Sequence, residues 1–282
     1  MMANIDYYLR YPEGKTKAVT LSYDDGVEQD ERLIALMEQY GFKGTFNLSY
    51  GCTPAEDVTY EPGRVHRRMP FSWIKRVYAS PVVEVAIHGN THPHLERLQP
   101  SMVMKEVVED RQGWDAFFGG VIRGMAYPYG TFNDEVVEVL RLAGVAYART
   151  TVSTEKFKLP KDWLRMPATC HHRNPKLMEL ANSFAETKVK GDPILFYLWG
   201  HSYEFEGDNN WNVIEEFFQK LTGNPDIWYA TNIEIYDYIQ AYNRLEYSCD
   251  GKRVYNPSVI DVWLGNASES ICVSAGKMVD LK

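Results

Sequence analysis

The chain has 282 residues, of which 45% are apolar and 24% charged, the balance of a folded globular protein that can bury one large core or two modest ones. Lys and Arg number 30 against 38 Asp and Glu, a net charge of -8, which argues against duplex nucleic acid or an anionic membrane as the main partner. Cys52, Cys170, Cys249 and Cys272 form no CxxC pair, which argues against a disulfide scaffold and leaves one bridge, Cys249 with Cys272, open.

The start, MMANIDYYLRYPEGK, lacks the basic, apolar and small-residue blocks of a signal peptide, and the longest apolar run, residues 194–199, is too short to span a bilayer. The expectation is therefore a cytoplasmic chain. Residues 18–23 read as a strand. Residues 28–40 follow with Leu33, Ile34, Leu36 and Met37 on one helical face, stopped by Gly41. Residues 45–48 are a second strand, residues 50–70 a loop rich in Gly and Pro, 71–78 a helix and 82–87 an apolar strand. Ser101 is read as the cap of a helix reaching 118, and Asn133 as the cap of one reaching 143, with a strand over 121–127 between them. A short strand over 145–148 precedes an irregular stretch, 149–170, with one strand near Leu164. Asn174 and Pro175 open a helix. A buried strand over 194–199, a helix over 211–221 and a strand over 227–230 follow, and Asn232 caps the last helix, to about Arg244.

This alternation predicts parallel strands covered by helices. Roughly seven units before residue 245 fit a closed or nearly closed α/β barrel better than an open sheet. Beyond it, 259–264 and 271–275 alternate apolar and polar around a turn at 266–270, which predicts a hairpin packed on the barrel. The expected division is an N-terminal segment (1–17), a barrel (18–245) and a β extension (246–282).

The reactive side chains fall beside strand ends. Asp24-Asp25-Gly26 follows the first strand, His88 the third, Pro128-Tyr129-Gly130 the fourth, and His201 the strand over 194–199. In a barrel these positions share the C-terminal rim. Taken alone, adjacent carboxylates before a glycine read first as a turn, with a division of labour, one on a metal and one on a water, as the second reading. His88 and His92, with Gly89 and Asn90 between them, suit one ion bound from a tight loop. An Asp with these two would give three protein ligands and open positions, the pattern of a catalytic metal site. His94 reads as a supporting residue. His201 is a candidate general acid, and the Tyr129 N–H a candidate oxyanion donor. His171-His172 reads as groove or structure, because adjacent residues seldom chelate one ion.

These pieces, in this order, resemble the polysaccharide deacetylase (NodB-homology) family, carbohydrate esterase family four. Ser22-Tyr23-Asp24-Asp25-Gly26 looks like its first motif, His88 to His92 its second, Tyr127-Pro128-Tyr129-Gly130 its third, and Leu198 to His201 its Leu-x-x-His motif. The resemblance implies a distorted (β/α)7 TIM-like barrel carrying a divalent metal: zinc first, with cobalt, nickel or manganese as alternatives. It also implies Asp24 as base, Asp25, His88 and His92 as metal ligands, Tyr129 in the oxyanion hole and His201 as acid. Three departures stand out: Gly89 in place of Ser or Thr, Ala126 in place of Arg, and no clear fourth-motif Asp, the nearest being Asp162-Trp163. Arg123, Arg149 or Arg165 would have to supply the missing charge. The expected activity is removal of acetyl groups from an N-acetylglucosamine-type saccharide, with Pro128, Trp199, Tyr203 and Trp163 on the sugar. The alternatives are hydrolysis of another linear or cyclic amide at the same site, or a non-catalytic carbohydrate binder. No nucleic acid or membrane partner is expected, and the oligomeric state is left open.

Overall fold

The structure is a computed structural model that describes residues 7–56, 58–266 and 269–281. Its centre is a set of parallel strands: β1 (Lys17–Asp24), β2 (Gly44–Leu48), β3 (Val83–Ile87), β4 (Gly124–Ala126), β5 (Tyr147–Ser153), the interrupted β6 (Met166–Ala168 and Cys170–His171) and β7 (Ile194–Gly200). Each strand from β1 to β5 pairs with the next, and β7 returns to β1 in register from Lys17↔Ile194 to Tyr23↔Gly200.

The ring closes through β6. Its first half pairs with β5 and its second half with β7. Thr169, between the halves, donates its N–H to Tyr197 O at 2.8 Å. Seven parallel strands thus form a closed, distorted (β/α)7 barrel with one ragged seam. A further strand, Ile227–Tyr229, pairs with the first half of β1, whose second half pairs with β2.

The alternation along β1 decides where its side chains go. Val19, Leu21 and Tyr23 join the apolar layer beneath the helices. Thr20, Ser22 and Asp24 face the lumen, which is polar. Thr20 Oγ1 donates to Asn232 Oδ1 at 2.9 Å. Asn47 Nδ2 donates to Ser22 Oγ and to Asp24 Oδ1, each at 2.8 Å. Every buried lumen group needs such a partner, because an unpaired one costs about 1–3 kcal/mol.

The helices α1 (Asp30–Tyr40), α2 (Phe71–Val77), α3 (Pro100–Phe118), α4 (Asp134–Leu142), α5 (Leu177–Glu186), α6 (Asn212–Leu221) and α7 (Asn232–Asn243) surround the strands. Asn133 caps α4 as expected, its side chain accepting from Val136 N. Two caps differ from expectation. α3 begins at Pro100, so Ser101 lies inside it. Asn232 lies in the first turn of α7, and the cap is Thr231, in a reciprocal capping box with Glu234.

The expected C-terminal hairpin forms from Val262–Gly265 and Ser270–Val273, and Tyr8–Arg10 adds to it as a third antiparallel strand. The hairpin's turn includes residues 267 and 268, which lie outside the described residues, as do 1–6 of the expected N-terminal segment. A second antiparallel sheet joins Glu246–Tyr247, Arg253–Tyr255 and Met278–Asp280. All four cysteines are free, so Cys249 and Cys272 are not bridged. No helix among the described residues is long and apolar enough to cross a membrane.

Candidate active site

Asp25, His88 and His92 come from the loops after β1 and β3 and offer three donor atoms within 4.8 Å of one another. Two of the three sit in strained backbone. Among the described residues, six other than glycine have positive φ, and they include Asp25 (83°), His92 (54°) and Tyr129 (58°). Such angles cost about 1–3 kcal/mol each and persist where the surroundings dictate them. Gly130, after Tyr129, has φ 72°, and a Cβ there would lie 2.1 Å from Thr151 Oγ1.

The residues fit a divalent cation. His88 Nδ1 lies 2.8 Å from Ala126 O, which assigns its hydrogen to Nδ1 and leaves Nε2 with a free lone pair, as a metal ligand requires. Burial keeps the imidazoles of His88 and His92 neutral, and that of His92 is lowered to about 4. Burial pushes the Asp25 carboxyl up, but His66, His88 and Arg68 outweigh it and hold it far below its usual range. Arg68 donates to Asp25 Oδ1 at 2.9 Å, and His66 Nε2 lies 3.2 Å from Oδ2.

α3 holds the loop that carries the histidines. Asp110 accepts from His88 N at 3.0 Å and Tyr50 N at 2.7 Å. Glu106 accepts from Thr91 N and Thr91 Oγ1, each at 2.8 Å. These contacts fix the loop on either side of Gly89 without a side chain at that position.

Asp24 stands at the centre of the rim. Its Oδ2 lies 2.5 Å from an Arg149 guanidinium nitrogen, 3.8 Å from His201 Nε2 and 3.9 Å from His88 Nε2. Burial pushes this carboxyl up, but Arg149, His88 and His201 win, and it lies below its usual range. His201 is opposite in sign. Burial disfavours its charge, but Glu204, Asp24 and Asp25 raise it above the usual histidine range. A carboxylate held ionised beside an imidazole whose charged form is favoured is an arrangement that can serve as general base and general acid.

Residues 11–148 match the family model described as Polysaccharide deacetylase. This segment belongs to the polysaccharide deacetylase family. A search of curated proteins found no match. Among solved structures, the chain is similar to a protein from Mycobacterium smegmatis described as a polysaccharide deacetylase, at 16% identity and a TM-score of 0.57, covering 84% of this chain and 94% of that one. It is similar to the Xyl-CE4 domain of a multidomain xylanase from the hindgut metagenome of Trinervitermes trinervoides, at 16% identity and a TM-score of 0.52, covering 82% and 95%. A family 4 carbohydrate esterase from Streptomyces lividans, solved with acetate, shares 16% identity over 76% and 91%, with a TM-score of 0.49. At such identities the first two support the fold alone.

The departures from the polysaccharide deacetylase pattern have structural answers. Ala126 pairs in register with Arg149 on the neighbouring strand, and it is this guanidinium that faces Asp24. Arg123 is taken by Asp237, and Arg165 by Asp162 and Asp134. Asp162 is therefore not the partner of His201; Glu204 is, with Oε2 3.5 Å from His201 Nδ1.

The expected sugar-binding residues scatter. Trp163 precedes β6, at the opposite end of the barrel, and packs edge-on against Tyr236. Trp199 is buried beneath Arg149, 4.5 Å from its ring, and Pro128 is buried in its turn. Tyr203 does stand at the rim, beside His66 and His201. The open aromatic face belongs to Tyr129, 56% exposed and stacked on His94 at 4.0 Å. Its positive φ, which presents the ring, has no signal in the sequence beyond the following glycine.

Proposed function

We propose that this chain is a metal-dependent hydrolase that removes acetyl groups from the nitrogen of N-acetylglucosamine-type saccharides. The observation that carries the reading is the contact of Asp24 with both Arg149 and His201 beside the Asp25–His88–His92 donor set. A divalent cation held by those three, zinc before cobalt, nickel or manganese, would polarise the acetamide carbonyl and acidify a water.

Asp24, ionised because Arg149 faces it, takes a proton from the attacking water. The Tyr129 N–H is the chain's own donor for the developing oxyanion. His201 gives the proton on Nε2 to the leaving nitrogen, and the C–N bond breaks to acetate and free amine. Asp24 Oδ2 and His201 Nε2 are 3.8 Å apart, so the proton taken by the base can return to the acid and reset the pair. The exposed Tyr129 ring, backed by His94, supplies a face on which a sugar stacks.

In an acetate-release assay, Asp24→Asn should lower turnover by at least about 10³-fold while bound zinc stays at the wild-type level. Turnover near wild type would remove Asp24 from the mechanism. Ring opening of a cyclic amide without acetate release would keep the site and change the substrate.

A further inference from the structure

His171, His172 and Arg173 take no part in the steps above, yet all three converge on one carboxylate. Glu204 lies three residues after His201, in the short helix Tyr203–Gly207. Its Oε2 is 3.0 Å from His172 Nε2, 3.2 Å from His171 Nε2 and 3.5 Å from His201 Nδ1. Its Oε1 accepts from an Arg173 guanidinium nitrogen at 2.8 Å. Glu204 is 7% exposed and His172 only 2%.

We propose that Glu204 is the positioning residue for His201, and that residues 171–173 serve to keep its carboxylate ionised and aimed. The inference rests on reading His201 as the acid. A spacing of three along a helical turn brings the carboxylate under the imidazole. Oε2 also accepts from the His201 backbone N–H at 3.3 Å, which ties it to both ends of that residue. Arg173 is itself fixed by a two-pronged bond to Asp208, at 2.6 and 2.8 Å. His172 fits beneath because Gly200 has no side chain; a Cβ there would lie 2.1 Å from His172 Nδ1.

Burial pushes the Glu204 carboxyl up, but His171, His172 and His201 hold it far below its usual range. Around His201 stand the carboxylates of Asp24, Asp25 and Glu204, with the His171 and Tyr203 rings alongside. Of these carboxylates, Glu204 is the one within ion-pair distance of Nδ1, the nitrogen that does not face the base, at 3.5 Å and without a formed hydrogen bond.

His171, His201 and Glu204 also have the spacing of an ion site, with donor atoms within 4.8 Å of one another. The tautomer argues against an ion there. His171 Nδ1 accepts from Arg173 N at 3.1 Å, so its hydrogen sits on Nε2, toward Glu204, with no lone pair left to bind a cation. His88 shows the reverse pattern.

The test is Glu204→Gln in the zinc-loaded protein. Expected is a fall in kcat of about 10–100-fold with KM within about twofold. The alkaline limb of the pH–rate profile should move to lower pH, because His201 loses the charge that keeps it protonated. Glu204→Asp, which keeps that charge, should recover part of the loss. NMR titration of the His201 ring should show its midpoint lowered in Glu204→Gln. An unmoved titration and unmoved alkaline limb overturn the proposal. So does binding of two zinc equivalents by wild type and one by Glu204→Gln, which would make the cluster an ion site. If wild type turns over no acetamido sugar, the hydrolase reading fails, and the His201 titration still decides whether Glu204 governs that ring.

Discussion

A carboxyl as buried as that of Asp24 holds its proton unless a cation faces it. Arg149 is that cation, 1% exposed and also 3.2 Å from Ser22 Oγ. Arg149→Met should therefore raise the Asp24 carboxyl and move the acidic limb of the pH–rate profile to higher pH, since the base works only when ionised. The same change should cost about 3–5 kcal/mol in urea unfolding, because it strands a buried charge. An unmoved acidic limb would mean that Arg149 does not set the base. At this scale the sequence was informative about residues beside strand ends, where side-chain type and position agree: Asp24, Asp25, His88, His92 and His201 converge. It was silent on Glu204, because a carboxylate three residues after a histidine looks like any helical turn. It left Arg149 as one of three candidates, because strand register is not written in composition.

The element that most controls the metal loop is α3, which contributes no ligand. Glu106 and Asp110, one turn apart on it, fix backbone N–H groups of Thr91 and His88. Glu106→Ala should weaken zinc binding by about 10–100-fold, the usual cost of losing a group that supports a ligand. A competition titration with a chromophoric chelator reads this directly. Unchanged affinity would show that the loop holds its shape without the clamp. Element types and most boundaries were legible from apolar period and turn residues. The caps of α3 and α7 were not: Ser101 and Asn232 are good capping residues, but α3 is entered at Pro100, two residues earlier than a Ser101 cap implies, and the Thr231–Glu234 box starts α7 one residue earlier. Tyr8–Arg10 joining the C-terminal hairpin was also unreadable, since pairing so distant in sequence leaves no local pattern.

Across the described residues, burial raises several carboxyls into the neutral range, so that they keep part or most of their proton at pH ~7. Asp30 and Glu84 are pushed up to about 7 and Asp110 to about 8. Unfolded, these groups titrate near pH ~4, so the folded chain holds more protons and loses stability as pH rises through the folded values. Buried His88, His92 and His172 act oppositely, but their contribution is complete near their unfolded value of about 6.5. His201, which is raised, adds to the loss. In chelator, the thermal midpoint should therefore fall between about pH 6.5 and 8. Glu84→Gln, which removes one of these groups, should flatten the slope. A midpoint that rises over that window would contradict the assignment. The parallel barrel was legible from strand–helix alternation; its closure through a split strand was not, because residues 149–170 show little periodicity.

That closure has a consequence for how activity can be lost. Arg149 sits on β5 and Asp24 on β1, and they meet across the lumen while β6 and β7 link these strands on one side. At the seam the pairing runs in short pieces on both sides of β6. A molecule parted along that line would keep nearly all of its helices and strands, yet Asp24 and the guanidinium would no longer face each other. Such a form would lack the proposed base–guanidinium pair while still folded, so an activity assay would register the parting where a measure of secondary structure would not.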